Sequence, residues 1–448
     1  MKKTNKKILE SKRIIKEEKE KIKLERKNIR KKKYAKFRNT RVYKFFERIF
    51  ALFKNDRDNY SFSELFVVTL VSLAVGAFAC FSVFTIFYGG RNYFKLSKDL
   101  DKLFDVYETL VDNYYDEIDK EKLVEDAIDG MVSSVGDVYT SYADIETTDE
   151  FNELVNGVYE GIGATIQLKE EGITVIDIYE DSPSENAGLE VNDIILKVDD
   201  IDASTLQDVE KLSTYIKEES SGNITMVVSR DGEEKKINLK RGKVEKPVVN
   251  TEIFEKNNKK IGYIRISIFS SVSPKQFKNK LKELEKENID GLIIDVRDNN
   301  GGYLTAVTDI VSNLLPKGKV IYQVQKGDDR EVTKDKTSTS TKYPIAVLVN
   351  GNSASASEIL AAAIKESYDG LVVGTKTYGK GTVQQVKKLS DGSMVKYTVE
   401  NWLTPDGNWI DGVGIEPTNT VELDVNYYKD PIFENDNQLQ ETLNLISE

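Results

Sequence analysis

From Leu65 to Tyr88 the chain runs LFVVTLVSLAVGAFACFSVFTIFY, 24 positions without a charged residue. A water-soluble domain does not readily absorb such a stretch, because a core helix ordinarily keeps one solvated face. Wound as a helix, with a rise of about 1.5 Å per residue, it reaches ~36 Å, enough to cross a hydrocarbon layer of ~30 Å with some tilt. The run also separates two parts of opposite charge. Residues 1–58 hold 23 Lys and Arg against 8 Asp and Glu, whereas the remainder holds 41 against 67. Basic residues crowd the N-terminal flank, in RVYKFFERIFALFKNDRD. The positive-inside rule therefore predicts a single-pass protein of the cell membrane, its N-terminus cytoplasmic and everything after Tyr88 extracytoplasmic. A cleaved signal peptide fits poorly, since the apolar run and its leader are long and YGGRNY offers no small-residue cleavage site.

The patterning divides the chain into six parts. Residues 1–60 form a basic arm, low in complexity, as in ILESKRIIKEEKEKIKLERKNIRKKK; attraction to anionic lipid is the economical reading, and no specific nucleic-acid partner is assigned. Residues 62–88 are the membrane span. In 95–155, Leu100, Leu103, Phe104, Tyr107, Leu110 and Val111 recur at helical steps, which predicts a helical collar or dimerisation segment and, through it, a homodimer. Residues 156–243 are β-rich, with ITVIDIY, NITMVVSRDGEEKKINLKR and a hairpin turn at Asp231-Gly232. From 244 to 424 strands such as DGLIIDVRD and PIAVLVN alternate with helices such as SASEILAAAIKES, the signature of an α/β core with buried parallel strands. Residues 425–448 are a short tail.

The chain contains no histidine and one cysteine, Cys80. That excludes a Ser-His-Asp triad, a Cys-His pair, every His-containing zinc motif and any intrachain disulfide. In an α/β sheet, sites gather where strand C-termini enter helices. Two such loops stand out, DVRDNNGG (Asp295–Gly302) and NGNSASASE (Asn350–Glu358). A serine at the second would sit among unpaired backbone N–H groups, where an oxyanion is stabilised. It would equally serve as a plain helix cap, and the pattern does not rank the three serines. A proton acceptor would have to be something other than histidine, and a lysine can serve if burial lowers its pKa. Most lysines lie in charged stretches, whereas Lys380, flanked by glycines in GTKTYGKGTVQQV after the apolar strand LVVG, could turn inward; an exposed lysine in a glycine turn is the alternative reading.

Two resemblances follow from these motifs. GIGATI, then DSPSENAGLEVNDIILKVDDID, a helix and a hairpin resemble a PDZ domain of the bacterial protease type, with Asn192 at a usual glycine and Asp200 at the final one. By that resemblance Gly161, Ile162, Gly163 and Ala164 form the loop holding a peptide's terminal carboxylate, and the next strand accepts the peptide by β-augmentation. Together with GMVSSVGDVYTSY, DVRDNNGG, NGNSASASEILAAAI, GTKTYGKGTVQ and DGSMVKYTVENWLTPDGNWIDGVGIEPT, the order of motifs from about Asp105 to Thr418 resembles the carboxyl-terminal processing proteases, peptidase family S41. Glu416-Pro417-Thr418 departs from that family's usual Pro-Asp. The resemblance implies a crotonase/ClpP-like α/β core of ββα units with an inserted PDZ domain. It further implies a serine endopeptidase with Ser355 as nucleophile, Lys380 as general base and Gln384 orienting the lysine. Ala356 and Gly301 or Gly302 would make the oxyanion hole, while Ser353 and Ser357 cap or pack. No metal or cofactor is implied, and the expected partners are protein tails and the membrane. A non-catalytic membrane PDZ adaptor and an acyl-transfer enzyme of crotonase-like fold are the alternatives.

Overall fold

The computed structural model describes residues 44, 47, 62–87, 93–206, 208–218, 222–338 and 341–448; the basic arm lies almost wholly outside the described residues. Two compact units divide at Asp116. In the first, α1 (Phe62–Phe87) is one uninterrupted helix with an 18-residue window, Phe66–Val83, of mean hydropathy 2.3 and nothing buried inside the protein. By length and composition it is able to cross a membrane. The second helix, α2 (Tyr93–Asn113), is amphipathic, as the Leu100–Val111 spacing predicts.

The second unit opens with α3 (Lys120–Ser133), capped by the Asp119 carboxylate, then β1 (Ser141–Ala143) and α4 (Ile145–Asn156), capped by Asp144. β2 (Val158–Gly161) leads into the β-rich module: β3 (Ala164–Lys169), β4 (Gly172–Ile178), β5 (Ile194–Val198), α5 (Val209–Glu218), β6 (Asn223–Arg230) and β7 (Glu233–Lys240). The sheet order is β3-β4-β5-β6-β7, so β3 lies at an open edge. Its core is closed by Leu212 and Ile216 of α5 over Ile173, Val175, Ile195 and Met226. The Asp231-Gly232 turn has both residues at positive φ, 55° and 84°, and Asn192 sits at 74°, where a glycine or asparagine is tolerated. β8 (Gly242–Glu245) returns antiparallel to β2 and closes the module at its base.

The remaining chain builds a six-stranded sheet from β9 (Val249–Lys256), β10 (Lys259–Ile266), β11 (Gly291–Asp295), β14 (Ile345–Val349), β15 (Leu371–Gly374) and β18 (Asn419–Thr420), in that order. All are parallel except the β9–β10 hairpin. Alternation sends Leu292 and Ile294 of β11 to one face and Ile293 to the other. The first face is covered by α6 (Ser273–Lys286), α7 (Leu304–Val311) and α8 (Ala356–Ala362). The second is covered by the closing helix α9 (Asn437–Ser447), through Leu439, Leu443 and Ile446. A second sheet, which the alternating strand–helix pattern does not announce, joins β1, β17 (Met394–Leu403), β12 (Val320–Lys326) and β13 (Asp329–Lys334), with β16 (Thr382–Lys388) on the other side of β17. It brings the segment ahead of the β-rich module against the loop that carries Lys380.

Candidate active site

β11 and β14 are parallel neighbours, so the loops following them emerge at the same sheet edge. Side chains stitch these loops together. Asn350 Oδ1 accepts the Asp298 N–H, and Asp298 Oδ1 accepts from Asn350 and Asn352 Nδ2. Ser353 Oγ donates to the Val296 carbonyl, and Ser357 Oγ to that of Asn299, which also takes the Ala354 N–H. The outer serines are fully buried in these bonds. Ser355 instead lines a cleft of about 900 Å³ and has φ 56°, ψ −111°, an outlier for a residue with a Cβ.

All six residues expected at the reaction centre, Ser355, Ala356, Lys380, Gln384, Gly301 and Gly302, line this one cleft. Ala356 opens α8, and its N–H makes no hydrogen bond among the described residues. Gly301 has φ 105°, and a Cβ there would stand 2.8 Å from the Ala354 oxygen, 2.9 Å from Ser355 Cβ and 3.1 Å from the Ala356 nitrogen. Only glycine leaves that space open. The Gly301 N–H donates to Asn299 Oδ1, however, whereas the Gly302 N–H has no acceptor among the described residues.

Glu358, in the first turn of α8, is fully buried beneath the site. Its Oε2 accepts the N–H groups of Ser355 (2.8 Å) and Lys380 (2.9 Å), while Oε1 accepts that of Gly379 (2.7 Å) and the Thr377 hydroxyl (2.6 Å). Burial pushes its carboxyl up, yet all four partners donate, which is the environment of an ionised carboxylate. One oxygen thus ties the serine turn to the lysine loop. Its burial was not readable from position three of a helix, where a solvated acid is equally at home.

Trp402 Nε1 donates to the Lys380 carbonyl, so both backbone polar groups of Lys380 are held. Burial, reinforced by the like charge of Lys396, depresses the Lys380 pKa, against the opposing pull of Glu358 and Asp137. The ammonium stands 4.8 Å from the centroid of Tyr139, whose own pKa is raised to about 12, chiefly by burial. Gln384 uses its amide nitrogen on Thr382 (2.8 Å) and Thr398 (3.2 Å).

The four carboxylate-loop residues lie apart from the cleft, although Tyr179, Lys246 and Pro247 connect the two as lining residues. The Ile162 carbonyl accepts from Ser184 and that of Gly163 from Tyr179. Tyr159, unassigned from sequence, packs its ring against Gly161, and burial raises its hydroxyl's pKa to about 12.

Family models match three blocks of the chain: the N-terminal domain of the activating protease CtpB over residues 88–147, a PDZ domain over 161–240 and peptidase family S41 over 260–421. The chain is 37% identical over 328 residues to the carboxy-terminal processing protease CtpB of Bacillus subtilis, covering 72% of this chain and 68% of that one. The chain belongs to peptidase family S41. It is a serine-type peptidase of the carboxy-terminal processing group, and it carries a PDZ domain. A CtpA-like serine protease of Staphylococcus epidermidis is 36% identical over 324 residues, with 71% of this chain and 65% of that relative covered. Among solved structures, the photosystem II D1 C-terminal processing protease matches 81% of this chain and 92% of its own at 25% identity and a TM-score of 0.45.

Proposed function

We propose that this S41 peptidase is an endopeptidase anchored by α1, cleaving extracytoplasmic proteins near their C-termini with a Ser355–Lys380 dyad. The observation carrying the reading is that Ser355 and Lys380 line one cleft while their backbones hang from the same oxygen of Glu358. Ser355 Oγ attacks the scissile carbonyl as the neutral Lys380 amine takes its proton. The tetrahedral oxyanion is held by the Ala356 N–H and by one from the Asn299–Gly302 loop, Gly302 as it stands or Gly301 once released from Asn299. Lys380 then gives the proton to the leaving amine, and water hydrolyses the acyl ester by the same base. Gln384, its nitrogen engaged by two threonines, has Oε1 left to accept from Lys380. The loop Gly161–Ala164 would receive the substrate's terminal carboxylate and the open edge of β3 its last residues.

The test is hydrolysis of an unfolded protein, β-casein, and reaction of the serine with a fluorophosphonate probe. Ser355→Ala and Lys380→Ala should abolish both while leaving binding of a C-terminal peptide intact. Turnover unchanged in Ser355→Ala would sink the dyad and favour a PDZ adaptor.

A further inference from the structure

The surroundings of Lys380 are not built by the peptidase segment alone. Residues 137–140, ahead of the PDZ domain, close one side. Asp137 is half-buried there; its Oδ1 accepts the Tyr139 N–H at 3.0 Å. Its Oδ2 accepts the hydroxyls of Thr140 and Thr398, both at 2.5 Å. Thr140 Oγ1 also takes the Thr398 N–H at 3.2 Å, so the segment grips β17 through backbone and side chain together. Thr398 Oγ1, having given its proton to Asp137, accepts from Gln384 Nε2. The second hydrogen of that amide goes to Thr382. A continuous chain therefore runs from Asp137 through Thr398 to Gln384, and the Tyr139 ring of the same segment lies under the Lys380 ammonium.

We propose that Asp137 is a positioning residue for Lys380, acting through Thr398 and Gln384. The carboxylate fixes which way the Thr398 hydroxyl donates. That hydroxyl then has only lone pairs to offer Gln384, which fixes the amide with its nitrogen toward the threonines and its oxygen toward the base. The proposal rests on the Ser355–Lys380 reading and extends it, because the base becomes competent only when a segment outside residues 260–421 is docked. The charged and titratable groups around Lys380 are Asp137 and Tyr139 from that segment, Lys396 from β17 and Glu358 from α8, with Tyr378 and Asp411 beyond Tyr139. Asp137 is the carboxylate among them that enters from outside the peptidase segment.

The experiment measures the rate of fluorophosphonate labelling of Ser355 against pH in the full chain, with a thermal melt of each variant. Ser355 Oγ displaces fluoride from phosphorus and its proton goes to the base, so the rate reports the base without a known substrate. Thr398→Val should slow labelling ~10-fold at every pH, as expected for a misplaced catalytic group, and Thr398→Ser should restore it. Asp137→Asn removes a negative neighbour of Lys380, so the acidic limb should move to lower pH. A limb unmoved in Asp137→Asn, or wild-type labelling in Thr398→Val, overturns the proposal if Lys380→Ala is inert. Wild-type labelling in Lys380→Ala instead overturns the dyad itself. Should Asp137→Asn fail to fold, the Thr398→Val and Thr398→Ser pair decides.

Discussion

At Ser355 the backbone stands at φ 56°, ψ −111°, a conformation costing about 1–3 kcal/mol for a residue with a side chain. Strain of this kind persists where the surroundings over-determine it, and here Glu358 holds the Ser355 N–H while α8 begins at the next residue. The turn leaves the Ala356 N–H facing a space that Gly301 keeps clear. Gly301→Ala would put a methyl group 3.1 Å from that nitrogen. Peptide turnover should fall roughly 10²-fold or more, the cost of losing one oxyanion donor, with binding of a C-terminal peptide retained; the melting temperature should fall as well, because the methyl group meets the Ala354 oxygen at 2.8 Å on a backbone at φ 105°. The pH dependence follows from Lys380. On the proposed dyad, the depressed Lys380 pKa means that the neutral amine is populated as pH rises, so kcat/KM should climb through a value below the 10.5 of an ordinary lysine. Lys396→Met removes a like charge and lets the Lys380 pKa rise, so the acidic limb should move to higher pH. A pH–rate profile in which that limb stays put or moves down would contradict this assignment of charges.

Among the elements, the closing helix α9 carries more than a tail would. Arg297, just past β11 where the loop to Gly301 begins, is almost wholly buried and donates to Asp295, Asp436 and Gln438. Tyr263 donates to Asp295 at 2.7 Å, completing the cluster. Asp436 also caps α9 through the Leu439 N–H. The helix therefore both covers one face of the sheet and pins the strand end that leads to Gly301. Asp436→Ala leaves a buried guanidinium short of one carboxylate and strips the cap, which should destabilise the protein by about 3–5 kcal/mol. Chemical denaturation measures it; a midpoint within experimental error of the parent would show that Asp295 suffices for Arg297.

For the whole molecule, the membrane reading makes a topological prediction. With Cys80→Ser removing the sole cysteine, Glu171→Cys on the exposed β3–β4 turn should react with an impermeant maleimide added to intact cells, and Asn5→Cys should not. The reverse pattern would invert the orientation of α1. The PDZ sheet, with β3 open at its edge and Tyr179 reaching the cleft, lies in the same compact unit as the catalytic sheet. On the proposed function, a tail bound at β3 and the attacking Ser355 would thus belong to one compact unit.

Much of this was legible along the chain because it depends on local periodicity or composition. The charge-free run yields α1, the doubly buried strands GLIID and IAVLV yield the parallel sheet, and Asp231-Gly232 yields its hairpin. The absence of histidine directs attention to a lysine base, and motif order points to the family. Residue pattern alone does not separate Ser355 from Ser353 and Ser357, since all three are small polar residues in one loop, and only the family resemblance singles it out; the structure adds that the outer two hydroxyls are buried against backbone carbonyls. Nor does the pattern disclose Glu358 as the shared anchor, or Asp137 and Tyr139 beside a lysine more than 200 positions away. Periodicity specifies which face of an element is buried, and so it determined the elements and their class. Which polar groups converge depends on how distant loops pack, and that was decided only when two sheets and the segment ahead of the PDZ domain closed around one cleft.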